Sequence, residues 1–240
     1  MLIVAEIGMN HDGNFDVAYE LVRQAKLAGA DIAKFQFGWR YTEGEINHIT
    51  PELARRLKEW CAFLGVEFMT SIINDDALEL ARELSPDRYK IASRTVIENP
   101  ALVEKVLSED KETFISLGWW KEDGWPFGPP SEKLRYIHCI SKYPTYPGDL
   151  VGFPERFGPD GLYGYSDHTH GIDTCLFAAS RGAQFIEKHF TLNKTSKAVH
   201  NDHVLSATPD EMAQLSQRGR MLERINAIVT GRDAGIQGKP

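Results

Sequence analysis

Apolar residues in this chain follow two alternating rhythms. Short apolar runs bounded by Gly, Pro, Asn or Asp read as buried strands, and longer stretches with apolar residues at i, i+3 and i+4 read as amphipathic helices. Residues 2–8 form the first run, which leads through Glu6, Asn10 and His11 to the turn Asp12-Gly13-Asn14. Helical spacing follows over 15–28, with Gly29 where a C-terminal cap belongs. The pattern then repeats as strand 31–37, a helix from Pro51 to about Phe63 with Thr50 as N-cap, strand 66–71, helix 75–84 with Asn74 and Asp75 as capping candidates, strand 88–93, a helix from Pro100 to Leu107, and strand 112–117. Beyond these the sequence predicts strand 134–140, a weak helical segment over 148–157 interrupted by Pro154, strand 162–166, helix 171–181, strand 183–188, and a long helix 209–228 capped by Thr208.

The rhythm breaks once. Residues 118–130 hold three Gly and three Pro among Trp119, Trp120, Trp125 and Phe127, too irregular for an amphipathic helix, so they are expected to form a loop. Eight strands alternating with helices predict an α/β protein, a TIM (β/α)₈ barrel with an irregular aromatic loop in place of the fifth helix. The rival, an open doubly wound sheet, would want a glycine-rich phosphate fingerprint after the first strand, and none is present. The expected organisation is one catalytic barrel over 1–229 and a polar tail over 230–240, with no leader before the first strand.

Composition narrows the partners. A net charge of −7 with 42% hydrophobic and 25% charged residues describes a soluble protein without the basic stripe that nucleic acid requires. No run reaches the roughly 20 apolar residues of a membrane span. Cys61, Cys139 and Cys175 lack paired spacing, which fits a reducing cytoplasm.

In a barrel, the C-terminal ends of the strands converge on the active site. Those ends carry Glu6, Asn10, Lys34, Gln36, Ser71, Lys90, Ser93, Ser116, Ser141, Tyr143, Ser166, His168, Glu187 and His189. Lysines and serines without arginine suit a compact anion such as phosphate or carboxylate. His168 and His189, ending adjacent strands, suit a divalent ion with open coordination positions, and Glu6 or Glu187 can handle a hydroxyl or a proton. The plainer reading of each histidine is a satisfied polar group at a strand end, and of each lysine a snorkelling surface group.

Motifs spread along the chain resemble the N-acetylneuraminate (sialic acid) synthase family, with its legionaminic and pseudaminic relatives. They are Ala5-Glu6-Ile7-Gly8-Met9-Asn10-His11, Ala30-Asp31-Ile32-Ala33-Lys34-Phe35-Gln36, Tyr89-Lys90-Ile91-Ala92-Ser93, His138-Cys139 with Tyr143-Pro144, Gly164-Tyr165-Ser166-Asp167-His168-Thr169-His170-Gly171, and Ile186-Glu187-Lys188-His189-Phe190-Thr191. The resemblance implies metal-dependent condensation of phosphoenolpyruvate with a sugar aldehyde to a sialic-type acid and phosphate. It implies His168 and His189 as ligands of a divalent ion, Mn²⁺ first and Mg²⁺ or Co²⁺ as alternatives. Glu6, His168 and His189 would be catalytic. Lys34, Lys90, Ser93, Ser116 and Ser166 would grip phosphoenolpyruvate, and Gln36, Tyr143, Glu187 and Asp202, with Glu6, would face the sugar.

Two departures bear on the sugar. Arg94-Thr95 stands where the family usually has Gly-Glu, and the expected organisation is a barrel alone, whereas the resemblance implies a following antifreeze-like domain that supplies an arginine from a partner subunit. Arg94 is therefore a candidate replacement for that arginine. The aromatic loop is expected to pack against a neighbouring barrel, making a homodimer, or to stack on sugar. Alternatives to the synthase are another phosphoenolpyruvate-dependent deoxy-sugar-acid synthase and a non-catalytic barrel that keeps the pocket.

Overall fold

A computed structural model describes residues 1–39, 45, 48–196 and 202–231. Eight parallel strands close a barrel in chain order: β1 (Leu2–Gly8), β2 (Ile32–Phe37), β3 (Glu67–Ile72), β4 (Arg88–Ile91), β5 (Glu112–Ser116), β6 (Leu134–Cys139), β7 (Leu162–Asp167) and β8 (Phe185–His189), with β8 pairing back onto β1. Outside lie α1 (Phe15–Leu27), α2 (Pro51–Leu64), α3 (Asp75–Leu84), α4 (Ser93–Glu98), α5 (Pro100–Leu107), α6 (Asp173–Ser180), the short α7 (Asp202–Leu205) and α8 (Pro209–Val229). Thr50, Asn74 and Thr208 cap α2, α3 and α8 through side-chain oxygens that accept backbone N–H groups. Among the described residues no helix is long and apolar enough to cross a membrane.

The period of two along each strand sorts the barrel into layers. Outward positions such as Ile3, Phe35, Tyr89, Ile115, Tyr136 and Ile186 are buried against the helices. Inward positions Val4, Ile32, Met69, Phe114, Ile137 and Phe185 form a separate apolar floor. Two residues further along most of these strands the inward side chains turn polar: Glu6, Lys34, Ser71, Ser116 and Glu187, all buried. At the opposite end Arg88 pairs with Glu67 at 2.9 Å and Glu112 at 3.2 Å, closing the barrel beneath the floor.

Gly164 makes the floor possible. It stands in register with Phe185, whose ring stacks on Phe114 with centroids 4.4 Å apart. A Cβ at position 164 would lie 2.1 Å from the Phe185 carbonyl oxygen, a clash with backbone that no side-chain rotation relieves. Gly164→Ala is therefore expected to lose about 1–3 kcal/mol, read as a lower urea midpoint, because overpacking a tight core forces the strands apart. A midpoint equal to wild type would contradict this close approach.

The structure corrects several expected boundaries. Ser93 does not end β4 but opens α4, a helix absent from the sequence expectation, which starts helix only at Pro100. Of the segment 148–157 only a 3₁₀ turn, Pro147–Leu150, forms. A short helix at Asp202–Leu205 was not anticipated. No helix joins β5 to β6, as the aromatic loop predicted, but the loop turns inward on its own barrel: Trp125 stacks on Tyr136 at 4.7 Å, and Trp120 and Phe127 pack against the same core. Only Trp119 of the four is exposed. Of the expected tail 230–240, residues 232–240 lie outside the described residues.

Candidate active site

All twelve site residues expected from the sequence line one cavity of about 400 Å³ at the C-terminal end of the barrel. β1 and β2 bring Glu6 and Lys34 into register, β3 and β4 do the same for Ser71 and Lys90, and β7 and β8 for Ser166 and Glu187. Asn10 is the exception among the wider set of strand-end residues. It is buried below the cavity, donating through Nδ2 to the Phe190 carbonyl and to Ser206 Oγ, both at 2.9 Å.

The two lysines have different surroundings. Lys34 Nζ lies 2.6 Å from Glu6 Oε2 and 3.6 Å from Glu187 Oε2, and donates to Ser71 Oγ at 3.0 Å. Burial would lower its pKa, but the two carboxylates outweigh burial and raise it. Lys90, equally buried, donates to Ser116 Oγ at 2.6 Å and to the Ile91 carbonyl at 3.1 Å, and carries no ion pair among the described residues. Burial pushes its pKa down, outweighing the opposing pull of the Glu187 carboxylate, and the Lys34 charge adds to the fall.

The carboxyls divide as well. Burial, reinforced by Glu187, raises the pKa of Glu6, whose Oε1 accepts from Gln36 Nε2 at 2.6 Å. Burial opposes ionisation of Glu187 too, but Lys34 and Lys90 overcome it and hold its pKa at about 2. Glu187 Oε1 accepts from Ser166 Oγ at 2.7 Å. A carboxyl with raised pKa beside one that stays ionised is the pattern that separates an acid/base from an electrostatic partner.

His168 and His189 face each other with ring centroids 5.4 Å apart. The His168 Nδ1–H donates to the Ile140 carbonyl at 2.7 Å, which fixes the tautomer and leaves the Nε2 lone pair free. Burial lowers the pKa of His168 and, with His168 and Lys34 nearby, pushes His189 down to about 3, so both rings are neutral near pH 7. His189 Nδ1 is buried without a hydrogen bond and lies 3.7 Å from Asp202 Oδ2. Among the described residues no three His, Cys, Asp or Glu side chains form a complete metal cluster. The two neutral imidazoles, one oriented through its distal nitrogen, nevertheless suit an ion that keeps positions for water and substrate. Tyr143 covers them, its ring 4.1 Å from His168.

The cavity also holds residues that sequence reasoning missed. Cys139, at the inward end of β6, lies 3.0 Å from Ser93 Oγ, and Trp39 lines the rim beside Trp119, the one aromatic of the expected loop that reaches the cavity. Arg94, singled out by its departure from the family pattern, does reach the rim between these two indoles, where its Nε donates to Glu98 at 2.7 Å. Period-two reading marks inward positions but cannot show which loop side chains fold back over them. The reverse case is Asp167 and Lys188, which lie inside matching motifs yet point away from the cavity: they form a fully buried ion pair at 2.6 Å, and Asp167 also accepts from Tyr165 Oη and from the Thr169 amide.

A pH dependence follows from Lys90. Because its pKa is depressed, the neutral amine appears at lower pH than for an ordinary lysine, so affinity for an anionic ligand should fall as pH rises through that value. The fold should gain stability over the same interval, since the protein then no longer buries a charge. Lys90→Arg should move the alkaline loss of anion affinity to higher pH, measured by titration calorimetry across a pH series. An unmoved profile would exclude Lys90 as its origin.

A closed parallel barrel whose open end gathers buried lysines, serines and carboxylates beside a pair of neutral histidines has the layout of a barrel enzyme. The chain belongs to the NeuB family, whose model matches residues 41–229. It is 31% identical to the N-acetylneuraminate-9-phosphate synthase of Homo sapiens over 92% of this chain and 70% of that protein. It is 30% identical to the N,N'-diacetyllegionaminic acid synthase of Legionella pneumophila, over 93% and 72%. In fold it matches the crystal structure of the N-acetylneuraminic acid synthetase of Leptospira borgpetersenii with a TM-score of 0.79, at 24% identity, over 99% of this chain and 93% of that one.

Proposed function

We propose that this enzyme condenses phosphoenolpyruvate with a sugar aldehyde, N-acetylmannosamine or a related amino sugar, to give a nonulosonic acid and phosphate. The observation that carries the reading is Lys90, a buried lysine hydrogen-bonded to Ser116, with Glu187 acting on it from beyond ion-pair contact and no carboxylate in direct contact among the described residues. A buried charge of this kind is stable when a ligand completes it, and a phosphate ester does so. Lys34, Ser93, Ser116 and Ser166 surround the same space.

The bond changes are these. Carbon 3 of phosphoenolpyruvate attacks the aldehyde carbon and the aldehyde oxygen takes a proton. Water adds at carbon 2, and phosphate leaves with cleavage of its C–O bond. Glu6, with its raised pKa, is placed to exchange that proton, and Glu187, ionised, offsets positive charge developing at carbon 2. Gln36, Tyr143 and Asp202, which line the same cavity, would face the sugar. A divalent ion held by His168 and His189, Mn²⁺ in the first instance, would supply Lewis-acid polarisation of the aldehyde oxygen.

Cytoplasmic location and a homodimer belong to the same proposal. All three cysteines are free, which suits a reducing compartment. With the aromatic loop turned inward, support for a dimer shifts to the exposed Met221, Ile225 and Ile228 along α8, and light scattering tests it.

The decisive experiment incubates the protein with phosphoenolpyruvate, Mn²⁺ and a panel of aldoses and follows phosphate release with and without chelator. Release that needs both an amino-sugar aldehyde and the metal is expected. No release with any aldose would favour a barrel that binds without turning over, and release only with unsubstituted phosphorylated aldoses would favour a different deoxy-sugar-acid synthase.

A further inference from the structure

Asp202 belongs to the four-residue α7, too short to hold its own position, yet its carboxylate lies 3.7 Å from His189. The next residue explains how it stays there. His203 is buried, and both its ring nitrogens are engaged: Nε2 lies 3.0 Å from Asp12 Oδ1, and Nδ1 lies 2.8 Å from Thr191 Oγ1. With Asp12 as acceptor, Nε2 carries the proton and Nδ1 accepts the Thr191 hydroxyl. Asp12 comes from the turn after β1 and Thr191 from just beyond β8, so one imidazole ties α7 to two different staves of the barrel. Asp12 itself is held at φ +52°, a left-handed conformation uncommon outside glycine, and its second oxygen accepts from Ser196 Oγ at 3.0 Å.

We propose that Asp12 and His203 are positioning residues that set the Asp202 carboxylate against His189 at the sugar side of the cavity. Neither Asp12 nor His203 lines that cavity. Ser206 completes the attachment, donating to the Asp202 carbonyl at 2.6 Å while accepting from Asn10. The arrangement matches the way carboxylates and imidazoles behind a functional group fix its orientation, where loss of the supporting partner changes affinity or activity about 10–100-fold.

The test compares Asp12→Ala with Asp12→Asn. The alanine variant should raise the acceptor KM about 10–100-fold and leave the phosphoenolpyruvate KM within about twofold, because Lys34, Lys90, Ser93, Ser116 and Ser166 make no hydrogen bond to Asp12, Thr191 or His203 among the described residues. The asparagine variant keeps an oxygen for the His203 Nε2–H and should stay near wild type. Crystal structures of wild type and both variants supply a readout independent of turnover: the separation of Asp202 Oδ2 from His189 should widen in Asp12→Ala only. Equal damage to both KM values, equal damage from both variants, or an unmoved Asp202 would overturn the proposal. If Asp12→Ala does not fold, Thr191→Val removes only the hydroxyl on the other ring nitrogen and takes its place. The kinetic arm rests on the condensation reading. Should wild type release no phosphate with any aldose, that reading fails and the structures alone decide the positioning.

Discussion

Methionine in place of Lys90 is expected to weaken binding of phosphoenolpyruvate on the order of 10²–10³-fold while raising the thermal midpoint of the protein. Truncating one partner of a buried, hydrogen-bonded charge contact costs about 2–5 kcal/mol of binding, and each 1.4 kcal/mol is tenfold. The stability effect has the opposite sign for the same reason: without ligand, Lys90 is a buried charge with only neutral hydrogen-bond partners among the described residues. Replacing it with an apolar side chain of similar length removes that desolvation penalty. Calorimetric titration with phosphoenolpyruvate and a thermal melt, run on one preparation, read both signs. A melt that falls together with affinity would mean that Lys90 serves the fold, and the anion assignment would lose its main support.

Lys188→Met should do the reverse. Its Nζ is fully buried and pairs with Asp167 at 2.6 Å, so the substitution strands a carboxylate among Tyr165, Cys175 and Thr169. Breaking a buried pair in this way destabilises by about 3–5 kcal/mol. In a chain of this size that lowers the melting temperature on the order of 10 °C. Adding Asp167→Leu to Lys188→Met should recover much of the loss, because replacing both members of a buried pair by apolar groups is often near neutral. A single variant as stable as wild type, or a double variant worse than the single, would contradict this account.

These two lysines also show what could be read from the chain alone. The barrel was legible because each strand is a short apolar run closed by turn residues and several flanking helices carry their own caps, as at Thr50, Asn74 and Thr208. The polar layer was legible for the same reason, since period two places Lys34 above Ile32 and Glu187 above Phe185 on inward positions. That Lys34 touches two carboxylates while Lys90 touches none was not, because closure of the barrel brings Glu187 to Lys34 from the far end of the chain. Ser93 was misplaced because its apolar flanks suit a strand end and the first turn of a short helix equally well. The rim residue Trp39 and the link from His203 to Asp12 depend on loops folding back, for which a local pattern carries no signal, whereas Cys139, two residues beyond the inward Ile137, was marked by period two and passed over for its small apolar side chain.

The apolar floor of Val4, Ile32, Met69, Phe114, Ile137 and Phe185 leaves the barrel with a single mouth. Lys90 and Ser116 sit directly on that floor, one step deeper than His168, His189 and Tyr143. A vessel open at one end imposes an order in time: whatever settles on the lysine must arrive before the upper tier is filled, and whatever fills the upper tier must depart before it can leave.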